Sequence, residues 1–427
     1  MTSPARLVVV CGRSAASVGE LVGGLKPLGD LVFLLDTSPY NDPLRALLAK
    51  VGTVLDVAPT AAATAELLRP LRPDGIVTFS ESLLPLTASL AAALELPFHS
   101  PDSVALLTDK HEQRRRLRER GADTVRTHLL TSSSEWPAAV REVGLPAVLK
   151  PVRSEGSRNT HAVSEDAEGK ALVHDLLDSG RERALVLEEF LIGRGSGAYA
   201  GYVSVESLAS RGVVTHLAVT GKYPMMAPFR ETGQFWPSAL NPAEEREVLD
   251  LASRAVDALG VRTGLLHTEI ILTADGPHII EVNGRLGGLV NDLAVRAAGV
   301  SLVRLAGRVA LGEHVVPEPV KPREVFYQFT HLAPLERVRF VKADGHGVIR
   351  RLPGVDTHRP LVQAGDWLDG GTAWTMLDLL TGRAASHGEM SALIDRALDT
   401  VEFTFGTQGG DIETLSGRAC SPWAAPS

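Results

Sequence analysis

The sequence predicts an α/β protein that opens with a doubly wound parallel sheet and continues through further α/β units. Three observations predict it. The apolar runs Leu7–Cys11, Leu31–Leu35, Val51–Val57 and Gly75–Phe79 alternate with amphipathic stretches, as strands buried on both faces do between helices. Residues 122–190 repeat the alternation on a smaller scale. The 427-residue length provides for about two to four domains at roughly 100–200 residues each.

Composition narrows the class. Apolar residues are 44% and charged residues 22%, an ordinary globular balance. The net charge of −8 is wrong for a protein that neutralises phosphate backbones, so no nucleic-acid partner is expected. Two cysteines, Cys11 and Cys420, make neither a disulfide framework nor a zinc pattern. No apolar run approaches ~18 residues, and the polar start followed by a short apolar run does not read as a signal peptide. A cytoplasmic enzyme without a membrane partner is the expectation. Only eight of the 43 basic residues are lysines, so a lysine at a strand end carries more information than usual.

The elements follow in order. In the first sheet the carboxyl ends of the strands, where ligands sit in such folds, carry Gly12–Arg13, Asp36 and Ser80–Glu81. No G-x-G-x-x-G follows the first strand, so a dinucleotide site is not supported. Ser100-Pro101 is a helix start, and a charged helix over Asp109–Arg120 ends at Gly121, where the first domain ends. In the small unit, strands are expected near 125–130, 146–151, 160–163 and 184–188, with helices near 134–143 and 166–179. Residues 191–310 hold longer strands, a loop over Gly221–Pro242, a helix near 243–259, a hairpin at 264–283 and a helix near 290–311. The proline-rich stretch Val315–Pro322 reads as a linker. Residues 323–415 mix short strands with one helix near 385–399, and the tail from Leu415 is expected to fray. The domains are thus 1–121, 122–190, 191–315 and 316–427.

The strongest chemical signal is the hairpin. Apolar runs flank Ala274-Asp275-Gly276-Pro277, which is turn chemistry. A turn centred on Asp275 sets Glu269 opposite Glu281 and His267 opposite Asn283, all on one face. Two carboxylates with Cβ atoms ~4.5–5.5 Å apart need a shared proton or a cation. With Asn283 as a third oxygen donor the set suits Mg²⁺. Arg285 follows on the same face. Gly287-Gly288 then leads into a helix, whose backbone N–H groups and dipole suit an anion.

Two further signals lie upstream. Lys150 ends the apolar strand Pro146–Pro151 and is followed by a loop with Ser154, Gly156 and Ser157; buried there it is costly unless it meets an anion, and the loop can wrap phosphate oxygens. Lys110 is a candidate for a second phosphate contact. In Leu185–Leu191 the strand end at Glu188, Glu189, Phe190 and Leu191 offers main-chain groups that can mimic base pairing with adenine.

In this order the pieces resemble the ATP-grasp superfamily: Lys110, then VLKP with a Gly/Ser loop, then EEFL-x-G, then E-x₁₁-E-x-N-x-R-x-G-G. HTE…IIEVNGRLGG and the loop Phe229–Pro237 look most like the L-amino-acid ligase branch, which joins carboxylates to amines. The resemblance covers roughly residues 5–315 and implies an ATP-grasp fold with an N-terminal doubly wound pre-ATP-grasp parallel-sheet domain and a C-terminal α+β domain. It implies ATP and Mg²⁺ or Mn²⁺ as cofactors. Lys110 and Lys150 would hold phosphates under the loop of Ser154, Gly156 and Ser157. Glu188, Glu189, Phe190 and Leu191 would flank adenine, and Glu269, Glu281 and Asn283 would hold the metal. Arg285 with Gly287 and Gly288 would stabilise an acyl phosphate, and Glu231 would face the substrate amine.

The sequence departs from the branch twice. Gly193 is followed by Arg194–Gly201, an insertion without the acid that usually meets the ribose, and Glu206 is left unassigned. Gln234 stands where the branch commonly has a histidine, placing a neutral amide where a proton could move. The expected partners are a small-molecule carboxylate and an amine, and a homodimer is compatible. Leu289 and Trp236 are candidates for the pocket wall. The alternatives are a biotin-carboxylase-like or other carboxylating enzyme (the chain lacks an Ala-Met-Lys-Met attachment motif), a non-catalytic ATP-binding regulator, and a metal-dependent hydrolase.

Overall fold

The computed structural model describes residues 4–195, 198–372 and 374–422. Ser196 and Gly197, within the insertion after Gly193, and Trp423–Ser427 lie outside the described residues.

The first sheet is parallel, in the spatial order Thr53–Asp56, Asp30–Leu35, Arg6–Cys11, Gly75–Thr78. Strand order reverses between Arg6–Cys11 and Gly75–Thr78, the crevice where open α/β sheets take ligands. Glu81 stands just beyond that crevice.

A four-stranded antiparallel sheet follows, with Ala147–Pro151 between Leu185–Glu189 and His161–Val163, and Thr127–Leu130 at the far edge. Trp136, Leu149, Leu185 and Leu187 are fully buried in its core. Gly169 is required there, because a Cβ on it would lie 2.1 Å from the Trp136 ring.

The largest sheet has eight strands and joins distant parts of the chain. Its order is Gly276–Asn283, Gly264–Thr273, Tyr202–Ser210, Val213–Lys222, Gly233–Trp236, Val325–Phe329, Asp378–Ala384, Val355–Pro360. The stretch expected as a loop over Gly221–Pro242 therefore contains a strand, Gly233–Trp236, which bridges Val213–Lys222 to Val325–Phe329. Val325–Phe329, Asp378–Ala384 and Val355–Pro360 extend the sheet that carries the hairpin, and Trp367–Leu368, Val338–Asp344, Glu402–Gly406 and Ile412–Ser416 form a fourth sheet. The helix expected near 290–311 is two, Val290–Ala298 and Leu302–Ala310, parted by Gly299 at φ +68°. They share one core with Leu7, Leu25, Trp236 and Leu265, which ties the parallel sheet to the large one. The tail is ordered through Ser421: Leu415 and Ser416 pair in a strand, and Cys420 is buried.

The hairpin itself has a two-residue turn, Ala274-Asp275, closed by Gly276 at φ +118°. Near the turn, opposed residue numbers sum to 549. A bulge at Ile280 shifts the sum to 550, so His267 faces Asn283 and Glu269 faces Glu281. The bulge reverses the alternation, keeping Ile279 and Val282 in the core while Glu281 and Asn283 take the other side.

Gly276–Asn283 is the edge strand of the large sheet, and its outer edge is covered by a helix. In Lys110–Glu119, capped by Asp109, positions i, i+3 and i+4 face the edge. Gln113 Nε2 donates to the Val282 carbonyl at 2.8 Å, and its Oε1 accepts from the Val282 N–H at 2.8 Å. Arg114 donates to the carbonyls of Ile279 (2.7 Å) and Ile280 (2.9 Å), at the bulge. Side chains thus satisfy an edge that would otherwise pair with another chain.

Candidate active site

The helix that covers the edge also delivers Lys110 to the hairpin. Lys110 Nζ lies 3.1 Å from Glu281 Oε2 and donates to the Ser154 carbonyl at 2.9 Å. Burial alone would lower the lysine; Glu281 and Glu81 outweigh it and raise it. Glu281 also accepts from Asn283 Nδ2 at 2.9 Å. Burial alone would raise its carboxyl, but Lys110, Lys150 and Asn283 bring it down to about 2. It is a carboxylate at any ordinary pH.

Glu269 faces the same space, with Oε1 3.2 Å from His267 Nε2. The other nitrogen of His267 lies 2.5 Å from Glu206 Oε1. Burial would lower this imidazole; Glu206 and Glu269 raise it to about 9. Glu206 is buried and also accepts from the Gly287 N–H at 3.4 Å, so it is engaged by the hairpin and is not free for a ribose. Glu269, Glu281 and Asn283 present oxygen donors on one face, and the two carboxylates are each about one-fifth exposed toward the cleft. That hard, partly exposed donor set fits Mg²⁺, which keeps several waters.

Lys150 meets Glu188 at 2.8 Å. Glu188 also receives Arg114 at 3.2 Å, and Arg114 reaches Asp123 at 3.3 Å. All four side chains are buried. The Glu188 backbone lies in a ladder on both sides, against Thr127 and Val148, so Glu188 contributes a side chain to the lysine and its main chain is not exposed. Glu189 is the last ladder residue and pairs with Arg126 at 3.1 Å; Phe190 and Leu191 lie beyond the strand.

The loop after Lys150 bends through Gly156, Ser157 and Asn159, all at positive φ. Ser157 Oγ donates to the Phe229 carbonyl at 2.7 Å, joining this loop to the one that carries Glu231. Glu231 accepts from Tyr202 Oη at 2.8 Å and faces Lys222 Nζ at 3.3 Å. Lys222 is buried and also donates to Gln234 Oε1 at 3.3 Å. Gln234 in turn donates to the Gly288 carbonyl at 2.9 Å. Gly287 has no room for a side chain: a Cβ would lie 2.5 Å from His267 Nδ1.

Arg285 pairs with Glu81 at 2.6 Å, across the junction between the parallel sheet's crevice and the hairpin. A small cavity is lined by Glu231, Gln234, Gly288, Leu289 and Trp374. Trp236 is not in its wall; it lines a separate cavity with Val290 and Leu293.

Gln113, Arg114, Tyr202 and Lys222 were not expected at the site, and Glu206 was named but left unassigned. Lys222 was findable, since it is one of eight lysines and ends a strand as Lys150 does. The other four depend on which strands and helices become neighbours.

Residues 107–289 match the ATP-grasp domain family. The chain is 31% identical to D-alanine–D-alanine ligase of Aromatoleum aromaticum over 228 residues, 51% of this chain and 70% of that protein. It is 28% identical to carnosine synthase 1 of Mus musculus over 272 residues, 58% of this chain, and spans 32% of that protein's length. The crystal structure of L-amino acid ligase from Bacillus licheniformis superposes with a TM-score of 0.74 at 20% identity, covering 94% of this chain and 98% of that one; the likeness is one of fold. The chain belongs to the ATP-grasp family. Among the described residues no helix is long and apolar enough to cross a membrane.

Proposed function

We propose that this protein is an ATP-dependent carboxylate–amine ligase that forms an amide or peptide bond, with an amino acid or a close analogue as substrate. The observation that carries the reading is the facing pair Glu269 and Glu281, joined by Asn283 and approached by Lys110. Such a pair has little structural reason to exist, because like charges directly opposed destabilise a sheet.

Glu269, Glu281 and Asn283 would hold Mg²⁺ or Mn²⁺. When bound, the ion neutralises charge on the ATP phosphates. Lys110 and Lys150 bind phosphate oxygens under the Ser154–Ser157 loop. The substrate carboxylate oxygen attacks the γ-phosphorus, the bond to the β-phosphate oxygen breaks, and ADP leaves. The amine nitrogen of the second substrate then attacks the acyl carbon, the bond to the phosphate oxygen breaks, and the amine gives up a proton. Arg285 stabilises the developing charge; the Gly287 N–H can share that task only by exchanging Glu206 for the phosphate oxygen. Glu231, its charge fixed by Lys222 and Tyr202, holds the substrate amine. Most of the catalytic effect is positioning and electrostatics in a closed site.

An amino-acid substrate is supported by the cavity beside Glu231, which joins a carboxylate to an apolar wall at Leu289 and Trp374. The relatives named for alanine and amino acids point the same way. The test is ADP and phosphate release from full-length protein with Mg-ATP and a panel of amino-acid pairs, with product mass measured. Release that requires both a carboxylate and an amine is expected. Release driven by bicarbonate, or ATP binding without ADP formation under every pair, overturns the reading.

A further inference from the structure

Away from the site, at the far edge of the large sheet, three side chains from separate elements converge. His346 opens the short helix His346–Ile349, His358 lies on the edge strand Val355–Pro360, and Asp378 begins the strand Asp378–Ala384. Asp378 Oδ2 is 2.7 Å from His358 Nε2, and that nitrogen is 3.2 Å from His346 Nδ1. One ligand atom from each residue lies within 4.8 Å of the other two. His358 and Asp378 are buried, and His346 is half-buried.

We propose that His346, His358 and Asp378 form a zinc site that anchors the C-terminal region to the end of the large sheet. Two imidazole nitrogens and a carboxylate oxygen are the donors zinc prefers, at bonds of ~2.0–2.2 Å. Tetrahedral donors at such bonds stand ~3.3 Å apart, close to the 3.2 Å already present between the two imidazoles. The His358–Asp378 contact opens by a few tenths of an ångström. Three protein ligands leave a fourth position for water.

Two observations beyond proximity support the site. A fully buried carboxylate is tolerated only when it is paired and hydrogen-bonded or coordinates a metal. Among the described residues the ion-pair partners of Asp378 are His331 and His358, and no lysine or arginine reaches it. Asp378 is also oriented as an outer sphere orients a ligand. The His331 N–H donates to Oδ1 at 3.0 Å, and His331 Nδ1 lies 2.9 Å from both oxygens. Zinc uses the deprotonated donors, so its uptake releases any proton that the imidazoles hold against Asp378.

The position gives the ion a structural role. The Leu377 N–H donates to the His331 carbonyl at 2.8 Å, and the segment just before Asp378 carries Trp374 into the cavity beside Glu231. The same segment presents Thr372 Oγ1 to the Asn159 N–H of the phosphate loop, at 2.9 Å. A clamp at Asp378 thus fixes the strand from which this wall hangs.

The test uses full-length protein, stripped of metal, loaded with zinc and dialysed against excess Mg²⁺. A single zinc ion retained per chain is expected in the wild type and in Glu281→Gln, which keeps the hairpin from being the source. His346→Asn, at a half-buried position that tolerates an amide, should weaken zinc binding at least tenfold. Cobalt in place of zinc should give visible d–d absorption in the wild type and none in His346→Asn. No zinc retained by the wild type, equal retention by His346→Asn, or loss in Glu281→Gln alone would each overturn the assignment.

Discussion

Arg114 is the residue whose removal tests most of the architecture at once. It sits behind the site with both arms committed: one to Asp123 and the Ile279 carbonyl, the other to Glu188 and the Ile280 carbonyl. Its side chain and both carboxylates are almost wholly inaccessible. Arg114→Met keeps the stem volume, so the cavity term is small and the loss is polar. Breaking a buried pair by removing one partner costs about 3–5 kcal/mol. Two stranded carbonyls each cost about 1–3 kcal/mol, partly offset if water enters. Because these overlap, about 3–5 kcal/mol is expected in all, a large share of the roughly 5–15 kcal/mol by which a domain is stable. Arg114→Lys carries the charge but cannot span four acceptors, and should lose about 1–3 kcal/mol. The pH dependence has a defined sign. Burial would raise Glu188; Arg114 and Lys150 outweigh it and hold the carboxyl below its ordinary 4.5. Its contribution is therefore present above pH 4.5 and is lost as pH falls through the lower folded value. The gap between wild type and Arg114→Met should narrow in acid. Adding Glu188→Gln to Arg114→Met should recover part of the loss. Urea denaturation followed by tryptophan fluorescence measures all of this. A loss under about 1 kcal/mol for Arg114→Met at pH 7, or a gap that widens in acid, would refute the account.

Glu281→Gln should lose ADP formation at ordinary Mg²⁺ while keeping the fold, with residual turnover returning only at about 10–100-fold higher Mg²⁺ or more; full turnover at ordinary Mg²⁺ would remove the metal assignment. Burial pushes both thiols, Cys11 and Cys420, up to about 12, so neither should react with a thiol reagent in native protein and both should react in denaturant. Fast native labelling at either position would contradict their burial. Gly169→Ala should cost about 1–3 kcal/mol by forcing the Trp136 ring aside, read as a lowered thermal midpoint; a wild-type midpoint would mean that the ring has room.

The register of the hairpin was legible because turn residues and strand alternation are local. Its means were not. The turn centres between Ala274 and Asp275, half a residue before the expected centre on Asp275, and the bulge at Ile280 restores the pairing. Nothing in the apolar pattern announces that bulge, since the carbonyls it frees are satisfied by Arg114, more than 160 residues earlier. Lys150 was legible as a buried cation on a strand. Lys222 has the same standing but was hidden when Gly221–Pro242 read as loop. Tyr202 and Glu206 become visible only once Tyr202–Ser210 is known to lie beside Gly264–Thr273, a long-range pairing that sequence order does not encode. The same limit conceals that Val325–Phe329, Asp378–Ala384 and Val355–Pro360 complete the large sheet, and that Leu415 and Cys420 are held in place rather than frayed.

The border between Gln113 and Val282 is stitched by an amide side chain instead of a backbone ladder. A ladder shifts register all at once, in steps of whole residues. A seam made of individual side chains can be retuned one stitch at a time. Substitutions along Lys110, Gln113 and Arg114 offer a graded adjustment of how the first lysine addresses Glu281, with the sheet beneath left as it is.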